Sequence, residues 1–246
     1  VASYGMAEAT LAISFEPLNN GIQTDTIDLR HLETEGYARP SNDPSHALRT
    51  FVLCGEALPE HEIEVRSSNG NILEDRHVGS VFVRGPSLMQ GYFGRPEETR
   101  DILDEDGWLN TGDLGYTLDG RIVITGRAKD LIIINGRNIW PQDLEWSAET
   151  EIDTLRSRDV AVFSVDSEEG ENIVALVQCR ATNDVDRAAL REEITSLFRR
   201  LHGVEVNVIL VPPHTLPQTS SGKLTRARAK AMLLAGQFEP LLSAAA

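Results

Sequence analysis

The sequence predicts an α/β chain, locally α+β, in which a β-rich first half is followed by a small α+β domain. Three observations carry that prediction. Between Phe51 and Thr125, short apolar runs alternate with polar neighbours and are broken by Gly- and Asn-containing turns, as half-buried strands are. After Leu131, strand-like runs are interleaved with stretches of helical period. The clearest of these, residues 184–202, sets Leu190, Ile194, Leu197, Phe198 and Leu201 on one face.

Taken in order, residues 1–15 read as a Gly turn and an apolar stretch. Residues 16–50 are polar, carry Asn19-Asn20-Gly21 and Ser41-Asn42-Asp43-Pro44 as turn signals and alternate poorly, so a long loop or insertion is expected. Its apolar residues Ile22, Ile27, Leu29, Leu32, Tyr37 and Leu48 are expected to anchor it. Strands follow at 51–54, 62–66 and 80–84, where Ile63 and Val65, then Val81 and Val83, alternate with polar residues. Two more apolar runs, 121–125 and 131–134, flank Gly126-Arg127-Ala128-Lys129-Asp130. Pro141 opens a helix over 142–150, since proline is tolerated in the first turn. Residues 160–165 and 173–179 read as a hairpin around 167–171, Asp184 as the N-cap of the long helix, 205–211 as a strand and 225–236 as a last helix.

Bulk properties narrow the functions. The length of 246 residues allows two modest domains, and 41% hydrophobic with 25% charged residues supports a packed core. The net charge of −15 argues against a nucleic-acid partner, which needs clustered Lys and Arg, but not against a nucleotide. The 2 cysteines, Cys54 and Cys179, suggest neither a disulfide framework nor a zinc site and fit a reducing, cytoplasmic setting. No apolar run is long enough for a membrane span. The start at Val1, with no Met and no basic segment, reads as the middle of a domain.

Each candidate motif has an ordinary reading. Gly222-Lys223-Leu224-Thr225 lacks the upstream glycine of a phosphate loop, where Pro217 stands, and Ser220-Ser221-Gly222-Lys223 lacks the partner motifs of penicillin-recognising enzymes. Alone, Lys223 is a solvated surface charge. Thr111-Gly112-Asp113 alone is a turn, although an Asp after a tight turn can also accept ribose hydroxyls. Gly126-Arg127 alone ends a strand, and Glu8 alone is a rim residue.

Their order is more specific. Tyr4-Gly5-Met6-Ala7-Glu8, Arg84-Gly85-Pro86 with Gln90-Gly91-Tyr92, Trp108 to Asp113, Gly126 to Glu145 and Pro217 to Lys223 follow one another across nearly the whole chain. In that order they resemble the adenylate-forming superfamily of acyl-CoA synthetases, adenylation domains and luciferases. Ala7, the run Lys129 to Asn138 with Pro141 to Glu145, and the polar segment after Glu16 resemble the fatty acyl-AMP ligases. Asn135 and Gln218 depart from that pattern, each standing where a basic residue is usual.

The resemblance implies that residues 1–126 are the C-terminal portion of a large adenylation domain, 127–130 a hinge and 131–246 the small domain. It also places the phosphate loop before Val1, so that the chain would be an incomplete enzyme. The implied reaction activates a long-chain fatty acid with ATP and Mg²⁺ to an acyl-adenylate and pyrophosphate. The acyl group then passes to an acyl carrier protein phosphopantetheine, with CoA the alternative acceptor and a non-catalytic carrier-binding fragment a further reading. By the same resemblance Glu8 holds the metal. Ser3, Tyr4, Gly5 and Met6 line the nucleotide pocket, Asp113 binds ribose, Arg127 adds a ribose or phosphate contact, Lys129 is the hinge and Lys223 is catalytic. The segment at 16–50 is expected to oppose rotation into a thiol-transfer pose, and deleting 24–45 to leave adenylation intact while raising acyl-CoA formation.

Overall fold

A computed structural model describes residues 1–167, 170–219 and 222–241, so Glu168-Glu169, Ser220-Ser221 and the Ala-rich tail read from the sequence lie outside the described residues. The chain divides into two compact units, Val1–Lys129 and Asp130–Ala246.

The first unit contains β1 (Ser3–Tyr4), β2 (Ser14–Phe15), β3 (Thr24–Asp28), α1 (Leu29–Glu35), β4 (Leu48–Val52), β5 (Glu56–Ala57), β6 (Glu62–Arg66), β7 (Gly79–Arg84), α2 (Pro96–Arg100), β8 (Leu109–Leu118) and β9 (Arg121–Arg127). Seven of these strands form one sheet in the order β1-β2-β5-β9-β8-β7-β6, every neighbouring pair antiparallel. Strands β8 and β9 are joined at Asp119-Gly120, with φ of 50° and 78°. That pair of positive φ values is what a two-residue hairpin matched to strand twist requires. Tyr4, Ile13, Val65, Val81, Val83, Leu109 and Ile122 pack together beneath the sheet.

Residues 16–50 are a correction to the expected loop. They form β3, α1 and β4, with β3 and β4 paired antiparallel from Thr24↔Val52 to Asp28↔Leu48. Asp28 caps α1 by accepting from the Arg30 N–H at 2.9 Å, and Gly36 ends it in the left-handed conformation. Ile27, Leu29 and Leu32 are buried, whereas Ile22 and Leu48 are exposed. The segment read as a loop because part of what anchors it is polar. Buried Asp25 accepts from Arg76 at 2.9 and 3.3 Å and from the Tyr116 hydroxyl at 2.7 Å.

The second unit contains β10 (Ile132–Ile134), β11 (Arg137–Ile139), α3 (Pro141–Glu151), β12 (Val160–Ser167), β13 (Gly170–Gln178), α4 (Asp184–His202), β14 (Val206–Val211) and α5 (Arg226–Leu234). Strands β12 and β13 pair antiparallel, and β14 joins β13 in parallel after α4 as the crossover. Alternate residues face opposite sides of this sheet. Val160, Val162, Ile173, Ala175, Val177, Val206 and Val208 pack with Leu144 of α3 and with Leu190, Ile194, Leu197 and Phe198 of α4. Ala161, Phe163, Val174 and Leu176 pack with Ala229 of α5 on the other side.

Two details of α4 differ from expectation. Its N-cap is Asn183, which accepts from the Asp186 N–H at 2.9 Å, and Leu201 lies 38% exposed in the last turn, before the left-handed Gly203 cap. The departure at Asn135 has a local cause. Asn135-Gly136, at φ 51° and 73°, is the two-residue turn between β10 and β11, and Asn tolerates that conformation better than a basic residue does.

Candidate functional site

In the first unit the candidate residues are gathered by the sheet. The Thr111-Gly112-Asp113 sequence is not a loop turn but part of β8. Gly112 is at φ +72° within the strand, and Asp113 stands opposite Arg127 of β9. A register shift between Leu114 and Gly115 bends the strand here. A Cβ on Gly115 would come 2.4 Å from the Val123 carbonyl oxygen, so only glycine admits that approach.

Asp113 is buried and bonded on both edges. Its Oδ2 accepts from the Tyr4 hydroxyl at 2.6 Å, and its Oδ1 pairs with Arg127 Nε at 2.9 Å. Burial, then the negative charge of Asp113 and the hydrogen bond to it, push the Tyr4 hydroxyl far above its ordinary pKa, so Tyr4 is a fixed donor. The Arg127 side chain is 60% exposed, so the Oδ1 edge of the carboxylate is the one a solvent-borne group can approach.

Tyr4 ends β1, and the chain then runs through Gly5 and Met6 into a single helical turn, Ala7–Ala9, that carries Glu8. A Cβ on Gly5 would lie 1.9 Å from the Leu11 carbonyl oxygen, so this tight return also requires glycine. The Glu8 carbonyl accepts from the Met89 N–H at 2.7 Å and its Oε1 from the Tyr92 hydroxyl at 2.7 Å. That bond, ahead of partial burial and the charges of Glu8 and Glu98, raises the Tyr92 pKa, while Arg127 lowers it. Arg127, Tyr92 and Glu8 therefore share one electrostatic neighbourhood. Ser3 and Gly5 are exposed beside it and Met6 is half-buried.

The remaining candidates lie apart from this cluster in the chain. Lys129 is exposed and closes the first unit. Lys223 belongs to the second unit, exposed in a short closed loop. Thr219 N–H donates to the Lys223 carbonyl at 2.8 Å, Lys223 N–H to Thr219 Oγ1 at 3.0 Å, and Thr225 N–H to the Pro217 carbonyl at 3.0 Å. The loop leads into α5, whose first residue, Arg226, bonds Glu145 at 2.7 and 2.6 Å and Asp130 at 2.6 Å. Burial alone would lower the Arg226 pKa, but the Glu145 and Asp130 carboxylates outweigh it and hold it raised.

This geometry can hold a polyhydroxyl ligand at Asp113 and a cation at Glu8. Among the described residues no group of three or more His, Cys, Asp and Glu side chains is placed to hold a metal alone. A single carboxylate oriented by Tyr92 suits a hard cation that takes its other ligands from phosphates and water.

No family model matches the chain. It is 55% identical over 238 residues to a putative acyl-CoA synthetase of Caulobacter vibrioides, covering 97% of this chain and 42% of that protein. It is 31% identical over 275 residues to a long-chain-fatty-acid–AMP ligase of Mycolicibacterium smegmatis, covering 96% of this chain and 44% of that protein. A solved structure of a fatty acyl-adenylate ligase, from work on the enzymes of E. coli and L. pneumophila, superposes with a TM-score of 0.87 at 42% identity over 96% of this chain and 41% of that one. The chain belongs to the adenylate-forming superfamily. The fold class expected from the sequence agrees with these ligases, and the chain spans 42% and 44% of the length of the two relatives.

For this member of the superfamily, residue types alone did not single out Tyr92 or Arg226. Tyr92 is 84 residues from Glu8 and Arg226 is 81 from Glu145, so only the fold joins them. Tyr92 appeared within a motif, with nothing to mark its hydroxyl as the important part. We predict that Tyr4→Phe, which leaves buried Asp113 Oδ2 without its donor, lowers unfolding stability by about 1–3 kcal/mol. Denaturant titration measures this, and an unchanged midpoint would show that the Tyr4–Asp113 bond adds nothing.

Proposed function

We propose that the chain is the C-terminal part of a ligase that activates a long-chain fatty acid with ATP and Mg²⁺, forming an acyl-adenylate and releasing pyrophosphate. The observation that carries this reading is the buried Asp113 carboxylate. It is fixed by Tyr4 on one edge and open to a ligand on the edge now covered by the exposed Arg127. The vicinal hydroxyls of a ribose donate to Asp113 Oδ1, and Arg127 is released to a ribose or phosphate oxygen. Ser3, Tyr4, Gly5 and Met6 line the base and adenylate pocket. Glu8, oriented by Tyr92, would hold Mg²⁺, which when bound neutralises phosphate charge. Lys223 is assigned the α-phosphate and the acyl carboxylate, a role suited to a compact ammonium on a long stem. Lys129, the last residue of the first unit, is assigned the hinge.

Both reactants are anions, so the chemistry needs positive charge aimed at phosphorus and at the leaving group. In the full-length enzyme, Lys223→Ala is expected to slow ATP–pyrophosphate exchange by roughly 10²–10³-fold, the scale for losing one preorganised contact. Near-normal exchange would remove Lys223 from the reaction. Asp113→Ala is expected to raise the KM for ATP by roughly ten- to a hundredfold and to lower kcat less, because a ribose contact is made in ground and transition states alike. If the KM for ATP stays put, Asp113 serves the strand and not the nucleotide.

The acceptor is an acyl carrier protein phosphopantetheine on the reading that rests on likeness to fatty acyl-AMP ligases. A CoA acceptor is the second reading, favoured by the name of the 55%-identical relative. Excising residues 24–45 cannot separate them, because it removes buried Ile27, Leu29 and Leu32. A fatty-acid panel given to the full-length enzyme with and without CoA does. We expect acyl-adenylate in both arms and acyl-CoA in neither. Efficient acyl-CoA formation selects the second reading.

A further inference from the structure

Arg158 holds a backbone conformation that side chains disfavour. Its φ is +72°, in the left-handed region where the Cβ of an L-residue crowds the following carbonyl. The surrounding hydrogen bonds impose it. Next to it, buried Asp159 accepts from the Arg156 N–H at 2.8 Å, from Gln178 Nε2 at 3.0 Å and from Arg180 Nη2 at 3.1 Å. The Arg158 carbonyl accepts from Gln178 Nε2 at 3.4 Å, and its N–H bonds the Glu149 carboxylate. Glycine would make the same backbone bonds without strain. A strained non-glycine held in place by its surroundings directs attention to what its side chain does.

That side chain lies against the loop of Lys223. If Gly222, the residue before Lys223, carried a Cβ, Arg158 Nη1 would be 3.0 Å and Cζ 4.0 Å from it. Gly222 is itself at φ +76°, so its backbone favours glycine, and the guanidinium packed on it would have to give by a few tenths of an ångström to admit a Cβ. The two arginines next to the lysine loop differ in one respect. Arg226 is saturated by Glu145 and Asp130, whereas the Arg158 guanidinium has no hydrogen-bond or ion-pair partner among the described residues. The Arg158 guanidinium thus packs on the residue next to Lys223, and both side chains are exposed, so one short stretch of surface presents two cations to an anion in solution.

We propose that Arg158 is a second cation of the lysine loop, and that with Lys223 it seats a polyphosphate: Arg158 grips the pyrophosphate that departs while Lys223 serves the α-phosphate. This rests on the adenylation reading above. The guanidinium fork matches two phosphate oxygens at once, which an ammonium cannot do. Arg158 neither gives nor takes a proton.

The test is Arg158→Gly in the full-length enzyme, read by ATP–pyrophosphate exchange. The change removes the guanidinium and also relieves the backbone, so the melting temperature should not fall. The KM for pyrophosphate should rise roughly ten- to a hundredfold, the range for losing hydrogen bonds to a charged group. Arg158→Lys, which keeps the charge and loses the fork, should fall between. A KM for pyrophosphate within about twofold of the unmodified enzyme overturns the proposal. Lys223→Ala measured alongside separates the two claims. If the unmodified full-length enzyme shows no exchange, the adenylation reading falls; if Lys223→Ala leaves exchange intact, Lys223 has no part in the reaction and the paired site falls with it. If Lys223→Ala abolishes exchange while Arg158→Gly leaves the pyrophosphate KM unchanged, only the role of Arg158 is lost.

Discussion

The geometry of the first unit depends on a carboxylate held in the middle of a sheet. Asp113 sits on β8, with β9 and β7 on either side, and is buried with Tyr4 on one edge and Arg127 on the other. An ionised carboxylate in such a place is tolerated only when donors replace the water it lost. Much of the local sequence follows from that need. Gly112 and Gly115 let β8 bend and approach β9, which brings Arg127 opposite Asp113. Thr111 donates to the Val81 carbonyl at 2.9 Å and accepts from the Asp113 N–H at 3.1 Å, tying the bend to β7. Tyr4 reaches Asp113 from the far edge of the sheet, because the Gly5 turn folds β1 against β2.

The second unit applies the same rule with the charges reversed. Arg226 is a partly buried cation at the start of α5, and Glu145 of α3 meets it with both oxygens. Glu145 also accepts the Val162 N–H at 2.9 Å, so one carboxylate joins α3, α5 and β12. Removing one member of such a set leaves an unpaired buried charge, which costs far more than the net worth of the pair. The lysine loop therefore springs from a rigid base, while its tip, around Gly222, carries exposed charge. Rigid support beneath a small presenting loop is the arrangement expected where a side chain must be placed accurately against a ligand.

Much of the architecture could be read from the chain. Strand β6 has the bounds the alternation of Ile63 and Val65 predicts, and α4 has the bounds its apolar period predicts. These elements were legible because one face is buried and the other solvated. The miss at residues 16–50 has the opposite cause. Asp25, Asp28 and Glu33 are buried there, and a sequence cannot distinguish a carboxylate that faces Arg76 and Tyr116 from one that faces water. The reading of Thr111-Gly112-Asp113 as a turn failed because Gly112 takes a turn-like φ while remaining inside a strand.

The candidate site divides along the same line. Residue types in order along the chain determined the family, the fold class and which residues to ask about: Tyr4, Glu8, Asp113, Arg127 and Lys223. Those are local facts, because each motif's backbone needs and chemical groups lie within a few residues of one another. Tertiary structure alone decided the contacts. Tyr92 lies against Glu8, Tyr4 donates to an aspartate 109 residues away, Arg226 closes on Glu145, and Arg158 rests on Gly222. No short-range pattern records such pairings. Each depends on strand order, on the register between β8 and β9 and on loop closure, and these are settled by the packing of the whole unit.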